Sequence, residues 1–222
     1  RYAADHCGLV PPPECCEPTG KTIAIIGGGP SGLSAAYYLQ QMGHQCTVFE
    51  HRKELGGMLY YGIPNYRLPK ERLAEDVQNI LATGVETKMN TCIGDGDGEI
   101  SFKMLKENYD AVYISIGAHT DKKLGIPGED AKGVISAIQM LRDIGDGNPP
   151  DFTGKNVIVV GGGNVAMDAT RSAIRLGAKN VSVMYRRRKA DMTALMDEIE
   201  AAIAEGAEIL ELHAPQAIET NK

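Results

Sequence analysis

KTIAIIGGGPSG, residues 21–32, and KNVIVVGGGNVA, residues 155–166, carry one pattern twice: a short β-branched run, three glycines, and an opening helix. An apolar run of this length reads as a buried strand, and a glycine run marks a tight turn. After the first, PSGLSAAYYLQQMG (30–43) sets Leu33, Ala36, Tyr37 and Leu39 at helical spacing before Gly43, and CTVFE (46–50) follows as a strand. After the second, GNVAMDATRSAIRLG (163–177) and VSVMY (181–185) repeat the order. Two βαβ units follow. The predicted class is α/β, with two Rossmann-like dinucleotide-binding folds on parallel sheets.

The glycines explain what the units are for. A strand-to-helix turn needs a residue tolerant of positive φ, and a second glycine lets a pyrophosphate approach the backbone and the helix N-terminus. Gly27, Gly29 and Gly32 satisfy GxGxxG, with Pro30 and Ser31 inside the motif. Glu50, followed by His51, ends the next strand where a carboxylate can hold ribose hydroxyls. In the second unit Gly161, Gly163 and Ala166 give GxGxxA around Asn164 and Val165. Tyr185 stands in the place of Glu50, followed by Arg186, Arg187, Arg188 and Lys189. A carboxylate there would repel a 2′-phosphate; guanidinium groups, Arg186 and Arg187 first, would bind it. The two units therefore suit different dinucleotides.

Between them, PKERLAEDVQNILATG (69–84) reads as an amphipathic helix, DAVYISIG (110–117) as a buried strand, and GVISAIQMLRDIG (133–145) as a helix. TALMDEIEAAIAEGAEIL (193–210) reads as a helix and a strand. A net charge of −6 argues against a nucleic-acid partner. No apolar run reaches bilayer-spanning length and no signal peptide precedes the first strand, so the expected compartment is the cytoplasm, without membrane contact. Cys7, Cys15 and Cys16 fall in a proline-rich stretch that reads as a linker; a metal-ligand role competes with plain linker thiols, and no CxxC spacing favours the former. No metal ligand is assigned.

ELGGMLYYGIPNYRLPKE (54–71), GGGNVAMDATRSAIRLGA (161–178) and YRRRKADM (185–192) resemble the flavin- and pyridine-nucleotide-binding oxidoreductases, in particular glutamate synthase small (β) subunits and their relatives. The resemblance runs over essentially the whole chain. It implies FAD in the first fold, with the NAD(P)H fold inserted into the flavin domain. Gly56, Gly57, Met58 and Arg67 then fall near the flavin, and Gly117 near its ribityl or phosphate region. It also implies a segment of a longer subunit: a linker at 1–20 after an iron–sulfur segment, an incomplete FAD domain at 21–133 and an NAD(P)H domain, truncated at its C-terminal end, at 134–222. Iron–sulfur clusters are expected outside the chain, in a partner subunit or domain. The implied activity takes hydride from NADPH onto FAD and passes electrons onward. Such chemistry calls for position and electrostatics, so no catalytic acid or base is assigned; Asp168 and Glu198 match acidic positions of relatives and suit structural pairing equally well. Two competing readings are a thioredoxin-reductase-like disulfide reductase, which needs a thiol pair beside a cofactor, and a nucleotide-binding scaffold without turnover.

Overall fold

The computed structural model describes residues 6, 11–96 and 99–220. They fall into two compact units, Arg1–Tyr60 with Asn65–Ala118, and Tyr61–Pro64 with His119–Lys222. Cys7 lies outside the described residues.

In the first unit, strands β1 (Thr22–Ile26), β2 (Gln45–Phe49), β3 (Glu86–Lys88) and β4 (Ala111–Ile114) form a parallel sheet in the order β3-β2-β1-β4. Helix α1 (Pro30–Gln41) connects β1 to β2. A single turn, α2 (Met58–Tyr61), precedes α3 (Lys70–Leu81), and α4 (Phe102–Asn108) leads into β4. Because strand side chains alternate between faces, Ile23 and Ile25 pack with Ala36, Cys46 and Val48 beneath α1, while Ala24 packs with Phe49 and Leu105 on the opposite face. Both faces are therefore apolar, which is why β1 reads as an unbroken hydrophobic run. The register sets Ile26 level with Phe49 and Ile114, so three carboxyl ends meet at one edge.

The other end of β4 is tied by charge. Asp110 accepts from the Thr22 N–H at 2.9 Å and the Lys21 ammonium at 2.7 Å, and these hold its carboxyl down at about 2. Residues 110–117, expected as a buried strand, behave otherwise. Among the described residues β4 ends the strand order and pairs with β1 alone, and Tyr113 and Ile114 are exposed.

In the second unit, β5 (Asn156–Val160), β6 (Asn180–Tyr185) and β7 (Glu208–Glu211) form a parallel sheet in that order. Helices α5 (Ala137–Gly145), α6 (Asn164–Arg175) and α7 (Met196–Ala204) complete it. Val157 and Val159 join Met140, Leu141 and Ala173 in one core cluster, and Met167, Val183, Ile199 and Ala202 form another. Arg171 of α6, nearly buried, reaches Glu198 at 2.7 Å and Glu205 at 2.8 Å, fixing α7 against α6. Glu198 thus has a structural partner. The glycine turn after the first strand of each parallel sheet is the Rossmann-like arrangement the sequence predicts. No helix of the described residues is long and apolar enough to cross a membrane.

Candidate functional site

The first site grows from the carboxyl edge of β1. Gly27 donates to the Phe49 carbonyl at 2.8 Å, and its φ of +106° turns the chain out of the sheet. A Cβ there would collide with the Ser115 carbonyl oxygen and lie 2.9 Å from the Ser115 carbonyl carbon, so β1 and β4 approach closely at this point. Ser115, which the sequence did not single out, reinforces the approach by donating its hydroxyl to the Ile26 carbonyl at 2.9 Å. Gly32 packs so close to the Gly27 carbonyl that no side chain fits. Gly29 differs: a Cβ there would meet only Gly57 Cα, at 3.7 Å. The space beside Gly29 is what a cradled pyrophosphate requires.

Glu50 is buried, at 5% exposure, and both of its oxygens are engaged. One accepts from the Gly28 N–H at 2.8 Å, the other from the Arg52 N–H at 2.9 Å. The His51 ring lies 3.1 Å from the latter and is half exposed. The acid expected to hold ribose hydroxyls is thus also the strut of the glycine turn, a task spacing alone does not reveal. Glu50→Ala removes the acceptor of both of these backbone hydrogen bonds, so apoprotein stability should drop by about 2 kcal/mol, and Glu50→Gln by less. Thermal melts of both variants without nucleotide check this; equal melting of Glu50→Ala and wild type would reject the strut.

A second glycine segment closes over the first. Gly56 donates to the Gly28 carbonyl at 2.8 Å, and Gly57, at φ +54°, would place a Cβ 2.8 Å from Gly29 Cα. Pro30 and Ser31 are exposed at the start of α1, with the Ser31 hydroxyl 3.1 Å from that of Tyr113. Met58 is half-buried beside Gly57, and Gly117 follows Ser115 with φ +70°. Arg67, half-buried in the segment before α3, is already engaged within the protein.

The second site repeats the plan with different partners. Gly161 donates to the Met184 carbonyl at 3.1 Å, and Gly163 has open space up to the Thr193 hydroxyl, 3.6 Å from a built Cβ. Ala166 is buried and Val165 exposed. Asn164, expected as a cofactor contact, has a further duty: its Oδ1 accepts from the Leu195 N–H at 2.9 Å, and Ala194 N–H donates to the Gly162 carbonyl at 3.0 Å. The segment after the arginines is thereby stitched to the turn. Tyr185 lies against Gly162, and its hydroxyl donates to the Asp191 carbonyl at 2.9 Å. The arginine segment has fixed backbone, since Leu212 N–H donates to the Arg187 carbonyl and His213 N–H to that of Tyr185, both at 3.1 Å. The side chains of Arg186 and Arg187 are exposed.

The helix caps discriminate. Among the described helices longer than one turn, α4 and α5 are capped by the hydroxyls of Ser101 and Ser136, while α3 and α7 carry Glu71, and Asp197 with Glu198, in their first turns. α1 and α6, the helices behind the glycine turns, have neither a side-chain cap nor a first-turn acid. Their leading N–H groups and positive dipole ends face the turns with no side-chain cap and no acid of their own first turn, a donor set suited to an anionic pyrophosphate.

Among the described residues thiol chemistry finds no comparable setting. Cys15, Cys16 and Cys92 are exposed outside both turns, and Cys46 is fully buried in the core under α1, where burial pushes its thiol up to about 11. Among the described residues no group of three or more His, Cys, Asp or Glu side chains gathers as a metal site would require.

Comparison with known proteins extends these observations. Residues 21–212 match the pyridine nucleotide-disulphide oxidoreductase family. The chain is 46% identical over 190 residues to the NADP(+)-dependent formate dehydrogenase subunit beta of Moorella thermoacetica, covering 85% of this chain and 26% of that protein. It is 35% identical over 234 residues to the glutamate synthase [NADPH] small chain of Escherichia coli (strain K12), covering 100% of this chain and 49% of that one. The chain thus spans between a quarter and a half of these relatives. Among solved structures, Mycobacterium tuberculosis FprA in complex with NADPH superposes with a TM-score of 0.71 at 23% identity, over 84% of this chain and 48% of that one, a likeness of fold.

Proposed function

The chain belongs to the pyridine nucleotide-disulphide oxidoreductase family, and from that premise we propose that it is the electron-entry module of an FAD-dependent NADPH oxidoreductase. The whole protein takes hydride from NADPH onto FAD and hands the electrons to iron–sulfur clusters in a partner subunit or domain. The observation that carries the reading is the pair of uncapped, acid-free helix starts, each behind a glycine turn, with Glu50 beside one and Arg186 and Arg187 beside the other. On this assignment residues 21–133 serve FAD and 134–222 serve NADPH. The names of the relatives, an NADP(+)-dependent formate dehydrogenase subunit and a glutamate synthase small chain, support a multi-subunit setting.

A bound flavin supplies a two-electron acceptor that can release electrons singly. The protein's own residues supply the rest. The turn at Gly27–Gly29 and the start of α1 offer backbone N–H groups to the pyrophosphate, and Glu50, braced by Gly28 and Arg52, presents its remaining lone pairs to ribose hydroxyls. Gly161 and Gly163 leave the same room in the second unit, and the exposed guanidinium forks of Arg186 and Arg187 meet a 2′-phosphate on a backbone already fixed. No side chain is asked to move a proton. The placement of the cysteines speaks against the disulfide-reductase reading.

The full-length protein, purified under mild conditions, should show flavin absorbance bands that bleach on anaerobic addition of NADPH. Bands that appear but do not bleach would favour a nucleotide-binding scaffold. Absence of flavin after reconstitution with FAD would reject the cofactor assignment.

A further inference from the structure

The segment carrying Gly56 and Gly57 is gripped from its far side by the ammonium of Lys70. Lys70 opens α3, where the helix's own dipole disfavours a positive charge. Its side chain turns back to donate to the Leu59 carbonyl at 3.3 Å and to the Tyr60 carbonyl, with Nζ 5.1 Å from the centre of the Tyr60 ring. Those carbonyls lie in α2, one turn long, whose C=O groups need partners beyond the helix. The backbone of Lys70 is itself anchored, its N–H donating to Asn65 Oδ1 at 2.9 Å. Half-burial shifts the ammonium's pKa downward, as expected of a charge drawn out of water to meet these carbonyls.

The other end of the segment rests on the nucleotide turn. Gly56 is bonded to the Gly28 carbonyl, and Gly57 abuts Gly29. Leu73, next along α3, packs so that a Cβ at Gly56 would come within 2.9 Å of its Cδ2. Residues 56–60 are therefore held between α3 on one side and the glycine turn on the other, and Lys70 supplies a polar grip from the α3 side.

We propose that Lys70 is a positioning residue that presses the Gly56–Gly57 segment onto the first glycine turn and so sets how tightly that turn holds its flavin dinucleotide. This rests on the reading above that the turn takes FAD. Lys70 touches the backbone of the segment; its effect on the cofactor passes through Gly57 and Gly29.

The test titrates full-length apoprotein with FAD, following flavin fluorescence, and records the visible circular dichroism of the bound flavin and hydrogen exchange at residues 57–60. Lys70→Met, which keeps the alkyl stem and removes the charge, should bind FAD about tenfold more weakly, with faster exchange at 57–60 and an altered flavin dichroism. Lys70→Arg, which can still donate to both carbonyls, should recover affinity to within about threefold of wild type and restore the dichroism. If far-UV dichroism shows Lys70→Met unfolded, Lys70→Gln is read in its place, with the same loss expected. Wild-type affinity and dichroism in the neutral variant would overturn the inference while leaving the FAD reading intact. Failure of the wild type to bind FAD would remove that reading and this inference together.

Discussion

Gly27→Ala will melt more than about 10 °C below wild type, whereas Gly29→Ala will melt like wild type and lose its flavin. At Gly27 the φ of +106° and the contact with the Ser115 carbonyl act together, so a methyl group must push β1 from β4 at the point where the Ser115 hydroxyl holds them. Positive φ alone costs an alanine about 1–2 kcal/mol, and displacing a packed backbone adds to it; a total above roughly 3 kcal/mol lowers the melting temperature by more than about 10 °C. Gly29 has ordinary φ and room for a methyl, its nearest obstacle being Gly57 Cα at 3.7 Å. That room is the proposed pyrophosphate cradle, so the methyl leaves stability within about 1 kcal/mol and displaces the ligand. Melting curves and flavin content of the two purified variants decide the matter. A Gly29→Ala protein that keeps full flavin would place the pyrophosphate elsewhere.

The double variant Arg186→Ala, Arg187→Ala will lower kcat/KM for NADPH about 100-fold and leave that for NADH within a few-fold. Hydrogen bonds to charged groups contribute about 1.5–3 kcal/mol each; both guanidiniums are exposed, and screening reduces the pair to roughly 3 kcal/mol, which is about two decades. Backbone bonds from Leu212 and His213 fix the arginine segment independently of its side chains, so the variant should melt like wild type. Rates with both nucleotides, measured by dye reduction at fixed ionic strength, provide the check. Equal losses with NADPH and NADH would make these arginines a solvated basic face, and a wild type preferring NADH would overturn the specificity assignment.

Much of this architecture was legible in the sequence because the informative residues are local. The runs 22–26 and 156–160 coincide with β1 and β5, and Gly27 and Gly161 punctuate them as read, although β5, unlike the buried β1, leaves Ile158 and Val160 exposed. What stayed hidden is long-range. The apolar run 110–117 does not alternate, so it signals a strand without saying how many neighbours it has; among the described residues one of its two edges has no partner strand. β3 is three polar residues whose strand character comes entirely from pairing with β2. Glu50 announced itself as an acid at a strand end, yet its grip on Gly28 and Arg52 requires the turn to fold back onto it. Asn164 likewise read as a ligand contact because its partner, the Leu195 N–H, lies 31 residues away. Ser115 and Lys70 have spacings that mark nothing by themselves; their hydrogen bonds to main-chain carbonyls appear only with the backbone in place.

The close approach of Gly57 to Gly29 restricts how this site can change over evolutionary time. Most contacting pairs drift by exchange: one residue enlarges, its neighbour shrinks, and the volume is conserved. Here the atom that a Cβ at Gly57 would strike is the α-carbon of a glycine, which has nothing left to remove. Neither position can compensate for the other, so descendants of this chain can alter the two loops only by moving backbone, and random libraries at 29 and 57 together should return glycine at 57 whatever is found at 29.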